Sequence, residues 1–276
     1  MFRKIISLSQ RVFNLPQKYK IAGASTLAFG TGMAIGSHMQ TSNPDKMYRS
    51  IHQANIRKAL QITPTATQAI LAQEAKEHEK VREDLKHMKL LLTKDEVAHA
   101  VSQIAKQIAK QFKDEPHLLV LTMLQGANYF STDLKRELSD EGLLFQEDVV
   151  RISRCGNSHQ GSQPKIERLP EAHKITGRKI LIIEDLIEEG VTLDATIKAL
   201  VALGANPSDI YIAAFTNKEN ARKPGFEHIQ PHFSGFNMKE NKWIVGFGCD
   251  QKGYVRAQRD LLYLPEEAQK ILGYRP

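Results

Sequence analysis

Four carboxylates crowd into residues 184–189 of this chain: Glu184, Asp185, Glu188 and Glu189, with Gly190, Val191 and Thr192 directly after them. They follow an apolar run, Ile180 to Ile183, and precede a helix-forming stretch, "TLDATIKALVALGA". Two adjacent carboxylates at a strand end suit a sugar diol and a hydrated magnesium ion, because Mg2+ favours one or two carboxylates combined with substrate phosphates. The amides at a helix start accept an anionic phosphate. Handles for a diol, a metal and a phosphate would then lie within nine residues. Glu188 and Glu189 also have a plainer reading, as solvated acids that complement the positive end of a helix.

Such a site needs strands that end together. "LLVLTML", "DVVRIS", "KILIIED", "IYIAAFTN" and "KWIVGFG" are short, apolar and rich in β-branched residues. The helical stretches "GANYFSTDLKREL" and "TLDATIKALVALGA" separate the first of them, and Gly204 suits a helix C-terminus. Strands alternating with helices imply parallel pairing in an α/β sheet, whose ligands sit beyond the carboxyl ends of the strands. Upstream, Thr93 and Glu96 have capping-box spacing, and Val97, Val101, Ile104 and Ile108 then recur at helical spacing. The globular domain is therefore read as 89–276.

The formal charge of +7 is unevenly spread. Residues 1–44 hold five Lys/Arg and no acid, whereas from residue 89 onward basic and acidic residues number 25 each. A neutral main domain gives no support to nucleic-acid binding. Two cysteines, Cys155 and Cys249, cannot build a disulfide framework or a four-thiolate zinc site, and a reducing, cytoplasmic setting is expected. Residues 1–44 read as a basic, weakly apolar tail or anchor, in which "IAGASTLAFGTGMAIGS" is short for a membrane span. Membrane association or targeting through 1–40 stays open beside a bland tail. Residues 45–88 read as a helical linker with a thin apolar stripe.

The segment "ILIIEDLIEEGVTL" resembles the phosphoribosyl-pyrophosphate (PRPP) motif of type I phosphoribosyltransferases, and its Glu-Asp start is closest to the hypoxanthine-guanine branch. "LLTKDEVAHAVSQIAKQI" is similar to that family's opening helix, "LTMLQGANYFSTDL" to its pyrophosphate strand and loop, and "NKWIVGFGCDQKGYVRAQRDLLYL" to its purine-binding and C-terminal segment. Four ordered matches make the resemblance specific. It implies a parallel core sheet flanked by helices, with a small hood, plus an N-terminal helical extension. It implies purine salvage: transfer of 5-phosphoribosyl from PRPP to a 6-oxopurine, with Mg2+ and a homo-oligomer, dimer or tetramer. On this resemblance Glu184 and Asp185 hold the ribose hydroxyls and metal, and Glu188 stands where an aspartate faces purine N7. Glu189, Gly190, Val191 and Thr192 form the 5′-phosphate cradle. Gln125, Gly126 and Arg256 serve pyrophosphate, the first two often with a cis peptide. Lys218 reads the purine 6-oxo group, Trp243 stacks on the base, the Ile244 backbone binds its edge, and Asp250 meets a second Mg2+ through water.

Three departures stand out. The family's phosphate loop reads Asp-Thr-Gly-x-Thr, and here Glu189 replaces the first threonine. A carboxylate about 4 Å from phosphate costs on the order of 4 kcal/mol at an effective dielectric near 20. The flap has Arg154-Cys155 in place of a Ser-Tyr pair, and about four extra residues surround "FEHIQPHF", where a surface loop is favoured over a metal site at His228 and His232. An active purine phosphoribosyltransferase and a catalytically impaired module binding a nucleotide or protein therefore both remain.

Overall fold

The computed structural model describes residues 64–154 and 164–273. Leu71–Pro276 forms one compact unit. Residues 1–40, Cys155 and the rest of the expected flap lie outside the described residues.

Helix α1 (Pro64–Lys86) leads into strand β1 (Lys89–Leu92) and helix α2 (Lys94–Phe112). The Thr93 hydroxyl accepts from the Glu96 amide, and Glu96 Oε2 accepts from the Thr93 amide at 2.8 Å. Such a capping box satisfies two helix-end donors that water would otherwise have to reach. Strand β2 (Leu119–Leu124), helix α3 (Asn128–Asp140), strands β3 (Gln146–Arg154) and β4 (Pro164–Arg168), strand β5 (Ile180–Ile187) and helix α4 (Val191–Ala202) follow. Strands β6 (Ile210–Lys218), β7 (Phe233–Met238), β8 (Trp243–Val245) and β9 (Leu261–Leu264) and helix α5 (Glu266–Leu272) complete the chain.

Six strands form one sheet in the order β4-β3-β2-β5-β6-β7, parallel except for the β3/β4 pair. The run "ILII" at the sheet's centre is buried on both sides: Leu181 and Ile183 pack with α2 and α3, and Ile180 and Ile182 pack with α4. That two-sided burial explains a continuous apolar run in place of alternation. Strands β1, β9 and β8 form a separate antiparallel sheet, the hood.

Two stretches carry more structure than their sequence suggests. Helix α1 reads as a solvated linker, yet Val81 and Asp84 are buried within the compact unit, upstream of the expected boundary at residue 89. The stretch "FEHIQPHF" reads as a surface loop, yet Ile229 within it is buried in the core cluster that includes Leu193 and Leu200 of α4. The two histidines there serve different partners: His228 Nε2 lies 3.4 Å from Asp194 Oδ1, and His232 Nδ1 accepts from the Ile212 amide at 3.0 Å.

Candidate active site

Three backbone segments converge on Asp185. Gly126, just past β2, lies so close that a Cβ there would collide with both Asp185 carboxylate oxygens. Gly248, after β8, has φ +107°, and a Cβ there would stand 2.5 Å from the Gly126 carbonyl oxygen and 2.8 Å from Asp185 Cβ. Only residues without a side chain allow this approach. The Leu124–Gln125 peptide is cis; Gln125 is exposed and Gly126 buried. Glu184 and Asp185 are half-buried at the sheet's central strand, and Glu184 Oε1 accepts from the Asp185 amide at 3.1 Å. Among the described residues, no group of three or more His, Cys, Asp or Glu is placed to hold a metal by itself.

The loop expected to hold phosphate runs from Glu188 to the start of α4. Gly190 is the N-cap of α4 with φ +85°, in the left-handed region that glycine tolerates. The amides of a helix's first turn have no intrahelical acceptor, which is the general basis of anion binding at such an end. Glu189 is half-buried, and its carbonyl accepts from the Lys223 amide at 3.1 Å. Behind the loop, Arg222 Nη1 donates to the carbonyls of Ile187, Glu188 and Lys218 at 3.1, 2.8 and 3.0 Å. Its Nε donates to the Ile229 carbonyl at 2.8 Å, and its Nη2 to Asn217 Oδ1. One guanidinium thus fixes the floor of the loop to the end of β6. The sequence reading missed Arg222, because a lone arginine in a polar loop carries no spacing signal.

Lys218 ends β6 and is only 4% exposed. Its Nζ donates to Glu188 Oε1 at 2.5 Å and to Asn241 Oδ1 at 3.1 Å. A buried ammonium needs such partners, since an unpaired one would pay the full desolvation penalty. Asp250 Oδ1 pairs with Arg256 Nη2 at 2.6 Å, Asp250 Oδ2 accepts from the Gly253 amide, and Arg256 Nη1 donates to the Gly248 carbonyl at 2.7 Å. The half-buried Trp243 donates through its indole N–H to Gln251 Oε1 at 2.8 Å. Ile244 is buried and paired with Tyr263 in the hood. Burial, then the nearby Asp185 charge, pushes the Cys249 thiol well above its ordinary pKa, which makes it an inert core residue. Arg154 ends β3. The structure therefore brings Glu188 to Lys218, and links Asp250 and Arg256 through Gly248 to Gly126 and Asp185. A cavity of about 550 Å3 lies elsewhere, between the starts of α2 and α3 and residues 257–259, and none of the expected site residues lines it.

A parallel sheet whose central strand carries an acidic pair in its C-terminal half, followed by a glycine-capped helix, together with a hood, defines the type I phosphoribosyltransferase fold. The model of the phosphoribosyl transferase domain family matches residues 87–258, and the chain belongs to that family. It is 28% identical over 181 residues to a hypoxanthine-guanine phosphoribosyltransferase of Mycobacterium avium, covering 63% of this chain and 83% of that one. It is 26% identical over 177 residues to the Dictyostelium discoideum enzyme of the same name, covering 64% of this chain and 93% of that one. Among solved structures, it resembles a hypoxanthine phosphoribosyltransferase of Trypanosoma cruzi in a ternary substrate complex, with TM-score 0.56 at 22% identity over 65% of this chain and 96% of that one. A glutamic acid mutant made to analyse an invariant aspartic acid in such enzymes aligns with TM-score 0.57 at 24% identity, over 65% of this chain and 96% of that one.

Proposed function

We propose that this chain is a purine phosphoribosyltransferase that transfers the 5-phosphoribosyl group from PRPP to a 6-oxopurine such as hypoxanthine or guanine, releasing pyrophosphate. The Lys218–Glu188 pair at the ends of β6 and β5 carries the reading. A lysine ammonium only donates, so it recognises an oxygen at purine C6 and rejects an amino group. Glu188 beside it accepts a proton from the purine ring as N9 bonds to ribose C1 and the C1–oxygen bond to pyrophosphate breaks, its electron pair leaving with pyrophosphate. Trp243 stacks on the base and the Ile244 backbone binds its edge. Glu184 and Asp185 hold the ribose hydroxyls where positive charge develops. Glu189, Gly190, Val191 and Thr192 cradle the 5′-phosphate on the start of α4. Gln125, Gly126 and Arg256 hold pyrophosphate.

Mg2+ fits this donor set. Two adjacent half-buried carboxylates in the C-terminal half of β5, with Asp250 linked to them through Arg256 and Gly248, suit an ion that completes its shell with substrate oxygens and water. When bound there it neutralises charge on the departing pyrophosphate. The proposal includes a homo-oligomer and a cytoplasmic main domain, the first testable by light scattering. Steady-state assay of the full chain with PRPP, Mg2+ and each of hypoxanthine, guanine, xanthine and adenine tests the function. Turnover of 6-oxopurines ahead of adenine is expected, and equal use of adenine removes the role given to Lys218. Glu189 in the phosphate cradle favours a second reading, an impaired module that binds nucleotide; binding of a purine nucleoside monophosphate without any turnover would establish it.

A further inference from the structure

Upstream of the family match at 87–258, the part of α1 from Leu71 onward contacts the loop between β8 and β9. Val81 is 2% exposed, and His78 lies with its ring centroid 5.5 Å from that of Tyr254. Asp84 and Gln251 are fully buried. Gln251 Nε2 donates to Asp84 Oδ2 at 2.7 Å, while Gln251 Oε1 accepts the Trp243 indole N–H at 2.8 Å. A glutamine amide engaged at both ends has its flip state and position fixed by its two neighbours. The chain of bonds therefore runs from the helix outside the transferase domain, through the loop after Asp250, to the side chain assigned to stack on the base.

We infer that Asp84, acting through Gln251, is a positioning residue for Trp243, so that α1 sets how the purine is held. This rests on the purine-binding role of Trp243 proposed above. Asp84 touches no substrate; it orients the amide that orients the indole. Hydrogen bonds between buried side chains favour one geometry, because breaking either bond would leave Gln251 with an unmet group in the interior.

The test uses the full chain, in which Trp243 is the single tryptophan and its emission reports on this side chain alone. Asp84→Leu removes the acceptor, Gln251→Met cuts the chain from the hood side, and Asp84→Asn retains an acceptor oxygen. Asp84→Leu and Gln251→Met are expected to shift Trp243 emission in the absence of substrate. They should raise KM for hypoxanthine about tenfold, the order expected for one lost buried hydrogen bond, with KM for PRPP within about twofold of wild type. Asp84→Asn should restore both signals. If Asp84→Leu does not fold, the Gln251→Met emission and KM split decide alone. Unchanged emission and unchanged purine KM in Gln251→Met overturn the inference, as does an equal rise in both KM values with no emission shift. Absence of purine turnover in wild type would instead defeat the functional reading, while the ligand-free emission would still report on the brace.

Discussion

The two sides of the site are built in opposite ways. On the side assigned to ribose and phosphate, Glu184 to Thr192 are neighbours in sequence, and one strand-to-helix turn puts them in place. On the side assigned to base and pyrophosphate, Lys218 comes from the end of β6 and Trp243, Asp250 and Arg256 from the later β8–β9 segment, and each makes a bond within the protein: Lys218 with Glu188, Arg256 with Asp250, Trp243 with Gln251. Changes on the first side should act on the chemistry itself. Changes on the second should act through partner exchange, and so on selectivity and affinity.

The largest expected effect is on the sequence-local side. Glu184→Gln combined with Asp185→Asn should lower kcat/KM by about 10³-fold, because charge stabilisation at the reacting carbon is lost. Loss below tenfold in a turnover assay would show that these carboxylates do not face the ribose. On the assembled side, Lys218→Met should reduce the preference for hypoxanthine over adenine by about 10²-fold, the upper end of what one hydrogen bond to a charged group contributes. An unaltered preference would break the contrast between the two sides.

Glu189→Thr should strengthen binding of a nucleoside monophosphate about tenfold by calorimetry, since a like charge beside the phosphate is removed. Weaker binding would mean that Glu189 recruits something useful, such as a metal ion or a ligand without phosphate. The smallest effect concerns stability. Burial lowers the pKa of His232, whose Nδ1 must stay unprotonated to accept from Ile212. A depressed folded-state pKa means that this contribution is complete above about pH 6.5 and is lost as pH falls through the lower, folded value. His232→Asn keeps an acceptor without the titration. Its Tm should therefore fall less than that of wild type between about pH 7 and pH 5, and identical slopes would remove His232 from the account.

The same asymmetry governs what could be read from the chain. The run at β5, the glycine before α4 and the capping box at Thr93 are local signals, and their elements formed where those signals lie. Strands β1 and β4 are too short and too exposed to show a pattern, and β9 has only four residues. Strand β7 carries Gly235 because a Cβ there would stand 3.0 Å from Ile104 Cδ1 and from Phe215, a tertiary demand that reads as a turn. Arg222 and the Asp84–Gln251 bond are invisible for a related reason. The latter joins residues 167 apart, and only the fold makes them neighbours.

The most direct measurement is the initial rate of nucleotide formation by the full chain with PRPP and Mg2+, comparing hypoxanthine and guanine with adenine, in wild type and in Glu188→Gln. The account predicts turnover of the 6-oxopurines in preference to adenine, and a fall of about 10²-fold in kcat when Glu188 can no longer accept a proton. Nucleotide formation at wild-type rate by Glu188→Gln, or adenine used as readily as hypoxanthine, would contradict it.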